Sequence, residues 1–133
     1  MRDAAQLALL AQFKGLLHRT WKTATEVPLP LPRDQRAWDA LVWLPSCRYG
    51  VEVETGPRDA QALLRRLQLK LRDGNVDGVF LILPRTDRVR DLVRSGALRD
   101  PQFPIPGGRA LELIAAGVDP GGGSVIILPS RRS

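Results

Sequence analysis

The chain has 133 residues, 44% of them hydrophobic and 26% charged, which describes one domain with a real core and excludes an intrinsically disordered chain. No stretch approaches the roughly 20 apolar residues of a membrane span, and a single cysteine, Cys47, excludes an internal disulfide and fits a cytoplasmic location. A net charge of +6, carried almost entirely by arginine, points to a polyanionic partner such as DNA, although GC-rich coding also enriches arginine.

Asp3 is placed to cap a helix over 3–19 with an apolar stripe of Ala5, Leu9, Leu10, Phe13, Leu16 and Leu17. The start of the chain reads as this helix rather than as a secretory signal. The only histidine, His18, falls on its polar side, so Cys–His or Ser–His chemistry has little support. Residues 23–31, with Pro28 and Pro30, suit an edge strand. Two alternating runs follow, over 36–44 and 50–55, joined by Pro45-Ser46-Cys47-Arg48 as a hairpin turn. Gly56-Pro57 breaks the second run and opens a helix over 58–72, closed by Asp73-Gly74. The apolar run 76–83 reads as a strand buried on both faces. A helix starting at Thr86 or Asp87, a helix over 109–116 and a last buried strand over 124–129 complete the alternation, with Arg131-Arg132-Ser133 as a frayed tail. Gly121-Gly-Gly123 precedes a strand and lacks Gly-Lys-Ser/Thr, so it reads as a turn and not a phosphate loop. The expected architecture is a single α/β domain over 1–133, a central mixed sheet of about five strands flanked by helices.

Chemistry concentrates in three acids: Asp39 on the first hairpin strand, Glu52 and Glu54 on the second. A tightly closed hairpin with the four-residue turn sets Leu44 near Tyr49, Leu41 near Glu52 and Asp39 near Glu54. Facing side chains lie about 4.5–5.5 Å apart, so the carboxylates would crowd one patch. A divalent cation with a taste for oxygen ligands, such as Mg²⁺ or Mn²⁺, would neutralise them. An ordinary solvated strand face paired with arginines has the same spacing. On the following helix, Ala60, Leu63, Leu64, Leu67 and Leu71 form the buried stripe. Gln61, Arg65, Gln68 and Arg72 run beside it, while Arg66 and Lys70 occupy the other flank. The first polar turn, Gln61 and Arg65, is expected to reach the acids and hold a phosphate or a water.

The order helix, strand, strand with Asp, strand with Glu-x-Glu, helix, strand resembles the PD-(D/E)XK, or restriction-endonuclease-like, fold. That resemblance implies Mg²⁺ held by Asp39 and Glu52, with Glu54 at the usual lysine position as third ligand or base, and Gln61 as the helix glutamine of exonuclease-like branches. Segments Glu26-Val-Pro-Leu-Pro, Asp34-Gln-Arg-Ala-Trp-Asp39, Gly50-Val-Glu-Val-Glu-Thr55, Asp59-Ala-Gln-Ala-Leu-Leu-Arg-Arg66 and Leu71-Arg-Asp-Gly-Asn-Val-Asp77 are similar to the C-terminal domain of actinobacterial XRE-type helix-turn-helix regulators. There a DNA-reading module precedes the domain; here Met1 begins at its first helix, as in a stand-alone relative or a truncation. Two functions are therefore expected: a Mg²⁺-dependent phosphodiesterase acting on or near DNA, with Asp39, Glu52, Glu54, Gln61 and Arg65 as its site, or a silent binding or homodimerisation module that retains the fold.

Overall fold

In this computed structural model, which describes residues 3–129, Asp3 and Gln6 open the first helix with a reciprocal cap. The Gln6 N–H donates to the Asp3 carboxylate at 2.8 Å and the Asp3 N–H to the Gln6 side chain at 3.1 Å. Helix α1 (Ala4–Leu16) buries Leu9, Leu10 and Phe13, a narrower stripe than expected because Leu16 remains exposed. Strands β1 (Lys22–Pro28), β2 (Ala37–Leu44) and β3 (Cys47–Val53) follow, then α2 (Ala60–Asp73), β4 (Gly78–Pro84), α3 (Asp87–Ser95), α4 (Gly107–Ala115) and β5 (Ser124–Leu128). Asp59 caps α2 through the Ala62 N–H, and Thr86 caps α3 through the Val89 N–H. Gly96, at φ 80°, ends α3 in the left-handed region that a side chain disfavours.

The five strands lie in the order β1-β2-β3-β4-β5. The first three form an antiparallel meander, and β4 and β5 add in parallel to β3 through helical crossovers. The mixed α/β sheet expected from the alternation is therefore present. Val79, Phe80, Leu81, Ile82 and Leu83 of β4 are all fully buried, each burial contributing about 1.5–3 kcal/mol. Helices α1 and α4 cover one face over Val51, Val53, Phe80 and Ile126. Helices α2 and α3 cover the other, packing Leu63, Leu67 and Val89 over Trp38, Val79, Leu81 and Leu83. The basic tail with Arg131 lies outside the described residues.

The hairpin register differs from the sequence expectation by two residues. Leu44 pairs with Cys47 and Ala40 with Val51, so the turn is the two residues Pro45 and Ser46. Cys47 belongs to the strand because it extends the buried row of Tyr49, Val51 and Val53. A shift of two leaves every side chain on its face but changes its partner. Asp39 therefore lies opposite Glu52 rather than Glu54.

Candidate functional site

The β2–β3 ladder is regular from Leu44/Cys47 to Ala40/Val51. Beyond it, acidic side chains join the strands. The Asp39 N–H donates to Glu52 Oε2 at 3.0 Å, and the Val53 N–H donates to Asp39 Oδ2 at 2.8 Å. Each carboxylate thus takes a main-chain proton from the opposite strand, and Trp38 turns onto the α2 face. Its indole lies over Gly50, where a Cβ would come within 2.4 Å of the ring, so only glycine admits it.

Glu52 is 4% exposed. Its partner is the ammonium of Lys70, which is 7% exposed and also donates to the Ala37 carbonyl at 2.6 Å. Lys70 Nζ lies 5.3 Å from the centroid of the Trp38 ring, a cation–π distance. Burial pushes the Glu52 carboxyl up, the Asp39 carboxylate adds to this, and Lys70 opposes both. We read the pair as charged, because the ammonium is in direct contact and the second Glu52 oxygen accepts an N–H.

Glu54 has a different partner. Its N–H continues the ladder to the Ile82 carbonyl at 3.1 Å, and its carboxylate meets Arg66 Nη2 at 2.5 Å. Further along α2, Asp73 binds Arg36 at 2.8 Å, and Arg36 also binds Asp34 at 2.5 Å, tying the β1–β2 connection to the end of the helix. Arg66, Lys70 and Asp73, spaced four and three, form one helical stripe in which every member meets an opposite charge from the hairpin side. This is the other flank, that of Arg66 and Lys70, which has no role in the sequence expectation. The flank expected to reach the acids turns elsewhere: Gln61 and Arg65 are exposed, and Gln68 binds Asp100 at 2.9 Å. The α2 groups that bond the acids are Lys70 and Arg66.

Of the residues singled out in the sequence, the structure brings Asp39 and Glu52 together, gives Glu54 a neighbouring arginine, and leaves Gln61 and Arg65 on the surface. Lys70 was missed. Its signal was compositional: in a chain of 20 basic residues only Lys14, Lys22 and Lys70 are lysine.

The two glutamates of the expected donor set are engaged by cationic side chains of the chain itself. Glu52 already holds Lys70, Glu54 holds Arg66, and no group of three or more His, Cys, Asp or Glu side chains suited to a metal occurs among the described residues. A hollow of about 600 Å³ lies at the far edge of the sheet beside β5, away from the acids. No protein-family model, no curated protein and no solved structure matches this chain.

Proposed function

We propose that the domain is a catalytically silent binding module on a nuclease-type core, related to the regulator domains it resembles, and that it works on or near DNA through its arginine-rich surface. The observation that carries this reading is the burial of Lys70 against Glu52 beneath Trp38. A cation competing for Glu52 would have to displace an ammonium that is already desolvated, and a buried charge left without its partner is costly. Titration calorimetry with Mg²⁺ and Mn²⁺ on the wild type and Asp39→Asn is the test. Neither protein is expected to give a saturable isotherm or to cleave labelled duplex. A Mn²⁺ isotherm that disappears in Asp39→Asn refutes the silent reading.

The DNA part has its own test in electrophoretic shifts at roughly 50 and 200 mM salt, where affinity should fall with a log–log slope of about −0.9 per neutralised phosphate. Arg65→Ala should weaken any such complex. No shift at low salt would remove DNA and leave a protein partner.

One arrangement favours the second reading. Asp39 and Glu52, side by side with the Lys70 ammonium, supply two acids and a lysine, the residue types of the resembled family, with the lysine delivered from α2 instead of position 54. Under that reading the chain is a Mg²⁺-dependent phosphodiesterase. Nicking of supercoiled plasmid in Mn²⁺ that both Asp39→Asn and Lys70→Met abolish would establish it.

A further inference from the structure

The edge of the sheet opposite the acids carries a feature that neither reading uses. Between α3 and the start of α4, beside β5, two adjoining hollows of about 600 and 390 Å³ share Arg85, Val93 and Ile127. Arginines line them: Arg85 and Arg99 in the larger, Arg85, Arg90 and Arg94 in the smaller, and no carboxylate lines either. Arg85 and Arg99 have no ion pair among the described residues. Arg90 and Arg94 have only long contacts, 3.6 Å to Asp87 and 3.9 Å to Asp91. The walls are apolar, with Val93, Leu98, Phe103 and Ile127, and Val93 remains 44% exposed.

The backbone adds a direction. The Arg85 N–H donates to the Leu128 carbonyl at 2.9 Å, so Leu128 faces β4. By alternation Gly123, Val125 and Ile127 face outward. The Gly123 carbonyl is taken by the Ile105 N–H at 3.2 Å, and Gly107 crowds the Val125 carbonyl so closely that a Cβ would lie 2.4 Å from it. Ile127 alone keeps both main-chain groups toward the hollow, in the middle of the arginines.

We infer that this groove binds an extended, acidic peptide segment of a partner protein, with carboxylates on Arg85, Arg90, Arg94 and Arg99 and a main-chain pairing at Ile127. Edge-strand addition supplies the backbone bonds, and the apolar walls take alternate side chains. A phosphodiester backbone would use the arginines but neither the walls nor the strand edge. A second copy docking the same face about a two-fold axis would set arginine against arginine. The inference does not depend on whether the acid pair is closed.

The test is fluorescence anisotropy with a labelled peptide alternating valine with aspartate and glutamate, at low and high salt, against its lysine counterpart and a labelled duplex. The acidic peptide should bind saturably and the lysine peptide should not. Arg85→Ala combined with Arg99→Ala should weaken binding at least tenfold. Ile127→Pro removes an outward N–H that no sheet bond uses, together with the core contact of a partly buried side chain, so it should weaken binding beyond Ile127→Ala, which loses the same contact and keeps the N–H. If Ile127→Pro proves unstable, the arginine pair decides alone. Equal binding by wild type and the arginine double variant, preference for the duplex, or concentration-dependent dimerisation that the arginine variant abolishes would each overturn the proposal.

Discussion

Replacing Lys70 by Met keeps the unbranched stem as far as Cε and removes the ammonium. The change deletes the ion pair of a Glu52 carboxylate that is 4% exposed, the bond to the Ala37 carbonyl and the contact with Trp38. Removing one partner of a buried pair costs about 3–5 kcal/mol, because the remaining charge is left uncompensated. Urea unfolding at several pH values measures the cost as a shift in midpoint at constant slope. The Glu52 carboxyl is already raised by burial and by Asp39, and losing Lys70 raises it further. A carboxyl whose folded value lies above its unfolded one contributes stability that is complete below the unfolded value and is lost as pH rises through the folded one. The Lys70→Met variant should therefore recover stability on acidification from neutral pH toward about pH 5. Adding Glu52→Gln should restore most of the loss at neutral pH, since no charge is then stranded. Arg66→Ala is the control: its pair with Glu54 is partly exposed, at 51% and 25%, and should be worth about 0–1 kcal/mol. A cost for Lys70→Met no larger than that of Arg66→Ala would refute the buried pair and with it the silent reading.

Gly50→Ala should destabilise by about 1–3 kcal/mol, measured by thermal unfolding, because its methyl would enter the Trp38 ring and force the indole off the Lys70 site. Arg72 and Arg36 hold the Asp73 carboxyl well below the usual carboxylate range, so its contribution is present above the unfolded value and is lost as pH falls through the folded one. Asp73→Asn should accordingly flatten the acid limb of the stability–pH profile and leave the limb above neutrality unchanged. Burial pushes the Cys47 thiol up to about 11, with Asp119 adding to the effect. Alkylation at pH 8 should therefore be far slower in the native protein than in urea, and equal rates would contradict the buried assignment.

Strand periodicity was legible because a two-residue repeat survives any even shift of register: Asp39, Glu52 and their faces were readable, while the partner of Asp39 was not. The turn misled because Cys47 reads as turn chemistry beside Pro45 and Ser46, yet its thiol completes the buried row of β3. Helix α2 misled differently. Its apolar stripe is unambiguous, but two polar flanks border it, and the choice between them depends on which side the hairpin lies. No spacing within the helix records that. Lys70 adjoins the apolar stripe, where a four-carbon stem can be buried while its ammonium reaches across to a strand.

The two halves of the sheet differ in how far apart their partners are along the chain. A two-residue turn brings β2 and β3 together, a local event of roughly microseconds, whereas β4 and β5 must wait for crossovers to close. The hairpin therefore sets Asp39 against Glu52 before α2 delivers Lys70, and the early structure carries an unrelieved repulsion at its open end. Lys70 acts late, as the latch that α2 docking closes. Lys70→Met should accordingly accelerate unfolding and leave the refolding rate nearly unchanged, a φ-value close to zero.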